Sequence, residues 1–223
     1  MKLKIEMVSD LVCPWCWVGL RRLQGAIALV PELDVEILFR PFELDPTIPP
    51  GGTDYKAYMK ARFGSDQNRE RANSMRDALI TYGEEENIPF DFDRISWRPN
   101  SFNAHRVVRW AQGQNLGMAA KEALFEAYFA KGQDIGDHET LVTLAAKIGL
   151  DANLVSDLLS GNADVETTGQ EQELFRQMGI SGVPTYIAHR QIAVQGAESS
   201  EKIARFLKSA AAHDPAARPM AGA

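Results

Sequence analysis

The chain has 223 residues, 45% of them hydrophobic, which is enough to bury the core of one or two domains. Its formal net charge of −6 argues against a general phosphate-binding surface, which needs clustered Lys and Arg, so nucleic acid is not an expected partner. No apolar stretch approaches bilayer length, and Met1-Lys2-Leu3-Lys4-Ile5-Glu6 enters the first strand without a signal-peptide core, so no membrane is expected and the expected location is cytoplasmic.

Leu3 to Val8 reads as an apolar strand that hands over to Cys13-Pro14-Trp15-Cys16, which holds both cysteines of the chain. A helix follows, because Cys16, Leu20, Leu23, Ile27 and Val30 recur at alternating spacings of four and three and line one face. Cys13 then occupies the N-terminal end of that helix, where unpaired N–H groups and the helix dipole favour a thiolate over a thiol. Pro14 fits the first turn, where a missing N–H costs nothing. A zinc site would need two more ligands at short spacing, and His105, His138, His189 and His213 lie in unlike contexts, so no metal is expected. A bridge closing so short a loop removes little chain entropy, which makes a working redox pair the better reading than a structural staple.

A short strand is expected from Val35 to Phe39, and Pro46-Thr47-Ile48-Pro49-Pro50-Gly51-Gly52 marks a domain exit. From Asp54 to about Asn162 the pattern is helical, with Gly117, Gly132, Gly149 and Gly161 as helix ends. Asn100 and Ser101 read as the cap of one of these helices. A further helix, about Val165 to Met178, leads to Ser181-Gly182-Val183-Pro184-Thr185. Thr185 to Ala188 and Ile192 to Val194 then form a hairpin. A last helix carries Ile203, Phe206, Leu207 and Ala210 on one face, and the Ala- and Pro-rich tail from His213 to Ala223 is expected to be disordered. Without its helical block the order is that of a thioredoxin-like α/β fold. The expected organisation is therefore a thioredoxin-like domain over 1–45 and 163–212 with an inserted all-helical domain over 46–162.

Ser9-Asp10-Leu11-Val12-Cys13-Pro14-Trp15-Cys16-Trp17-Val18-Gly19, taken with Ser181-Gly182-Val183-Pro184-Thr185, resembles the FrnE-like branch of the DsbA family of thiol–disulfide oxidoreductases. Arg98-Pro99-Asn100-Ser101-Phe102-Asn103-Ala104-His105 and Val194-Gln195-Gly196-Ala197 fall where that branch has similar words, so the resemblance covers nearly the whole chain. It extends to kappa-class glutathione transferases and 2-hydroxychromene-2-carboxylate isomerases, which share the insertion. The resemblance implies an enzyme acting on protein or glutathione disulfides, with no tightly bound cofactor and with glutathione as co-substrate or reductant.

Only a thiolate attacks disulfide sulfur usefully, so Cys13, read as the exposed member, is the expected nucleophile and Cys16 the resolving thiol. With Pro14-Trp15 between them and no imidazole, the couple is expected to be milder than the strongly oxidising DsbA type and to work mainly as a reductase or isomerase. Pro14 and Trp15 are candidate substrate contacts, Trp15 as an exposed apolar surface, whereas Trp17 reads as core. From the residues alone Val183-Pro184 is equally a turn proline or a cis bond. The resemblance implies the cis form, facing the dithiol, with the Val183 backbone pairing with an extended peptide or glutathione.

Asp10 could relay the resolving cysteine's proton through water or bond turn amides. His105 is a candidate substrate contact, or else a satisfied, half-buried histidine beside Ala104, Val107, Val108 and Ala111. Two other functions compete. One is glutathione-dependent transfer or isomerisation, whose proteins usually carry serine where Cys13 stands and lack the second cysteine. The other is a thioredoxin-like chaperone or binding module in which the dithiol is incidental. The sequence leaves the oligomeric state open, a dimer included.

Overall fold

In chain order, β1 (Leu3–Ser9) leads through a turn to α1 (Pro14–Ala28) and β2 (Val35–Pro41). The helical segment follows as β3 (Thr53–Asp54), α2 (Tyr55–Phe63), α3 (Asp66–Glu85), β4 (Trp97–Arg98), α4 (Phe102–Gly113) and α5 (Gly117–Phe125). A π turn over Glu126–Ala130 extends α5, and α6 (His138–Lys147) and α7 (Ala152–Ser160) complete the segment. The chain closes with α8 (Val165–Gln177), β5 (Thr185–Ala188), β6 (Ile192–Gln195) and α9 (Ser200–Ala212). This computed structural model describes residues 2–213, without the side chains at 66, 67 and 69. The tail beyond His213, read as disordered, lies outside the described residues.

The main sheet runs β2-β1-β5-β6, with β1 parallel to β2 and antiparallel to β5. Six of the seven β1 residues are buried, as a central strand covered on both faces requires. Ile5 and Met7 face the main core, and Val8 joins Phe42, Phe175 and Ile187 on the opposite face. The register pairs Val8 with Thr185 and with Arg40. The end of β1 therefore lies beside the start of β5, and the residues after Ser9 come out next to Pro184.

α1 buries Cys16, Leu20 and Leu23 completely, with Ile27 only half-buried. Gly19 lets it approach the sheet: Tyr186 Oη donates to the Gly19 carbonyl at 2.9 Å. A Cβ at Gly19 would stand 2.6 Å from Pro184 Cγ and collide with the Tyr186 hydroxyl. α9 packs its expected face, Ile203, Phe206, Leu207 and Ala210, against α1.

The segment read as wholly helical contains a small ladder, in which Thr53 pairs with Arg98 and Asp54 with Trp97. Two residues per strand are too few to show an alternating pattern. The ladder is fixed from outside, because Trp97 Nε1 donates to the Gly51 carbonyl at 3.0 Å and the Asp54 carboxylate caps α2 at the Ala57 N–H. Arg106 of α4 organises the far side. Its guanidinium donates to the carbonyls of Leu158, Gly161 and Ala163 at 2.6, 2.8 and 2.9 Å, satisfying groups that the end of α7 leaves open.

Candidate active site

The turn after β1 places Cys13 as the residue that starts α1, in extended backbone, with Pro14 in the first turn. Cys16 N–H donates to the Cys13 carbonyl at 2.9 Å, which sets the second thiol one turn inside. Both cysteines are free. The Val183–Pro184 bond is cis, and the Cys13 thiol donates to the Val183 carbonyl at 3.8 Å, so two segments 170 residues apart meet at the sulfur.

Cys13 is only 4% exposed, less open than its place in the sequence suggested, because its thiol turns inward to that carbonyl. Cys16 has no exposed surface, and burial together with the neighbouring Cys13 pushes its thiol well above the ordinary value. Pro14 and Trp15 are half-buried. Trp15 is not a free surface ring: it meets Tyr82 of α3 edge-on, with centroids 5.8 Å apart. Trp17 lies in the core, stacked on Phe125 and Phe129.

Asp10 lies fully buried beneath the turn. Its carboxylate accepts from Ser101 Oγ at 2.8 Å, Leu44 N–H at 2.7 Å and Val12 N–H at 3.3 Å. Burial alone would raise its pKa, but His105, the Arg98 charge and the Leu44 amide outweigh this and hold it below the ordinary value. Asp10 thus bonds turn amides, one of the two uses the sequence allowed. His105 is 3% exposed, with Nε2 at 3.6 Å from Asp10 Oδ1, too long for a hydrogen bond. It is fully rather than half buried. Ser101 sits at the α4 cap position but its hydroxyl is given to Asp10, while Asn100 Oδ1 accepts from Phe102 N–H.

Two charged residues here escaped the sequence reading. Arg98 is 5% exposed with its guanidinium 5.1 Å over the Tyr58 ring. Lys121 of α5 is 1% exposed, with its ammonium 5.1 Å from the centre of the Phe125 ring and 5.7 Å from that of Phe39. Burial pushes the Lys121 pKa down to about 8, against the opposing charges of Cys16, Asp10 and Cys13. The available signal was its place in the stripe Gly117, Lys121, Leu124 and Tyr128, whose members are all buried.

A dithiol at the head of a sheet-packed helix, faced by a cis-proline at the start of an antiparallel strand, defines a thioredoxin-like protein. The chain belongs to the DSBA-like thioredoxin domain family, whose model matches residues 4–208. A probable DsbA oxidoreductase, SCO1869 from Streptomyces coelicolor, is 29% identical with a TM-score of 0.87, covering 99% of this chain and 94% of that one. The uncharacterized protein YwbO of Bacillus subtilis (strain 168) is 27% identical over 192 residues, 84% of this chain and 87% of that one. The cytosolic disulfide reductase DsbM from Pseudomonas aeruginosa, solved with GSH, shares the fold at 18% identity and a TM-score of 0.61, covering 93% of this chain and 98% of that one. Family and site together make this chain a thiol–disulfide oxidoreductase in the broad sense. No helix among the described residues is long and apolar enough to cross a membrane.

Proposed function

We propose that the protein is a cytoplasmic oxidoreductase of protein or glutathione disulfides, with Cys13 as the attacking thiol and Cys16 as the resolving one. The observation that carries this reading is the asymmetry of the pair. Cys13 heads the helix against Val183, whereas Cys16 lies fully buried with its thiol held protonated. A Cys13 thiolate attacks one sulfur of the substrate disulfide, forming a mixed disulfide and expelling the other sulfur as a thiolate. Cys16 then loses its proton and attacks Cys13, which releases the reduced substrate and leaves a Cys13–Cys16 bond. The Val183 backbone and the Trp15 ring are the nearest surfaces for the substrate chain, and an extended peptide or glutathione satisfies the same backbone groups. The presence of GSH with DsbM supports glutathione as co-substrate or reductant here. With Pro14-Trp15 between the thiols and no imidazole, the net direction in a reducing pool is reduction or isomerisation.

Cys16→Ser should accumulate mixed disulfides on Cys13, read by mass spectrometry of non-reduced protein. Cys13→Ser should abolish turnover of both oxidised glutathione and a protein disulfide. Retained turnover in Cys13→Ser would sink the assignment and favour the chaperone or binding reading.

A further inference from the structure

Between β2, α4, α5 and α8 lies a chamber of about 20 Å³, enough for one small occupant with polar partners around it. Its inner wall carries Lys121, Thr168 and His105, all buried, and half-buried Arg40, Arg109 and Glu171 form its rim. The Lys121 ammonium is 5.7 Å from the centre of the Phe39 ring, itself part of the wall. It makes neither a hydrogen bond nor an ion pair among the described residues. Thr168 Oγ1 is also without a hydrogen-bond partner there. A buried hydroxyl left unanswered costs free energy, and a buried ammonium costs more.

The side-chain oxygens of the wall that could answer a cation are already used. Glu171 Oε1 accepts from Arg40 at 2.8 Å and Oε2 from Arg109 at 3.0 Å. Gln112 Oε1 accepts from the Phe39 N–H at 2.6 Å, which fixes the other half of that amide as a donor. Asp10, whose Oδ1 is 3.6 Å from His105 Nε2, is taken by three donors and does not line the chamber. Arg40 and Arg109 have second carboxylates in Glu6 and Asp164, so Lys121 is the wall cation without a carboxylate among the described residues. Water would answer the hydroxyl but brings no charge, whereas a small anion answers both groups.

We propose that the chamber is a binding site for one monatomic anion of the halide class, held by the Lys121 ammonium and the Thr168 hydroxyl. The ion supplies the charge that the wall lacks. It joins α5 of the helical segment to α8 and to β2, the edge strand of the main sheet. Trp15, Val183 and Pro184 are not in the wall, so the site holds the fold together and is not a substrate subsite. It stands independently of the cysteine roles proposed above.

Thermal unfolding of the reduced full-length protein near neutral pH tests it, with chloride replacing gluconate at constant ionic strength. A ligand of the folded state alone stabilises it logarithmically, so each tenfold of chloride above Kd should raise the wild-type Tm by about 3–5 °C. Lys121→Met removes the charge and should show no such rise. Thr168→Val keeps the shape of the side chain and should need at least about fivefold more chloride for the same shift, as loss of a hydrogen bond to an ion requires. In a wild-type crystal soaked in sodium bromide, anomalous scattering should place one bromide between Lys121 and Thr168. The bromide position and the Thr168→Val response decide the matter even where Lys121→Met fails to fold. Equal wild-type Tm in chloride and gluconate, a wild-type chloride response in either variant, or a chamber without bromide would each overturn the proposal.

Discussion

A lysine closed off from water is a standing cost to the fold, and Lys121 shows its sign. Its pKa falls from 10.5 to about 8 on folding, so the unfolded chain holds the proton more tightly. At neutral pH both states are protonated and the full penalty applies, roughly 3 kcal/mol at about 1.4 kcal/mol per pH unit. As pH rises from 8 toward 10.5 the folded form sheds its proton first and the penalty fades. Lys121→Met should therefore be the more stable protein at pH 7, by up to roughly 3 kcal/mol, with the gap shrinking by pH 9.5. Urea unfolding of both proteins at the two pH values checks this, and a gap that does not change with pH refutes it. Asp10, Cys13, Pro14 and Cys16 were legible because they fall within one seven-residue stretch, whereas Val183-Pro184, 170 residues from Cys13, was placed at the dithiol only by the family resemblance. Lys121 was not legible, since a lysine on a helix reads as solvated until the packing around its stripe is known.

Among the elements, α7 depends most on a single distant side chain. Arg106 is 2% exposed, and its bonds to Leu158, Gly161 and Ala163 do for the end of α7 what a glycine cap does elsewhere. Arg106→Met fills much of the same volume but strands those carbonyls, so it should cost at least roughly 3 kcal/mol. The loss should be local before it is global: amide exchange over Ala152–Ser160 should speed up more than exchange in β1. Uniform acceleration across both would count against the clamp. Periodicity located α1, α4 and α9 because each has a wide apolar face. It missed β3 and β4, whose two-residue ladder is set by Trp97 and Asp54 reaching other elements.

At the scale of the whole molecule, residues 46–162 and the remainder share their packing. One continuous core runs from Leu3 and Ile5 through Trp17 to Phe125, Leu141 and Leu150. Trp17 belongs by sequence to the redox helix, yet it packs on Phe90, Phe125 and Phe129 and donates to Glu122 at 3.0 Å. We expect the two parts to unfold together. Far-ultraviolet circular dichroism, tryptophan fluorescence and Cys16 alkylation should report one coincident transition in denaturant. Two separated transitions, or a stably folded 46–162 fragment, would show that the insertion is autonomous.

That shared tryptophan bears on how such proteins can diversify. A chimera that takes the helical segment of a relative hands Trp17 a foreign set of rings and a foreign partner for its indole N–H. The helical segment is therefore not a cassette that can be lifted out and dropped into another member. Recombination at the segment's ends must carry α1 along with it, because Trp17 of α1 is held by rings of the segment.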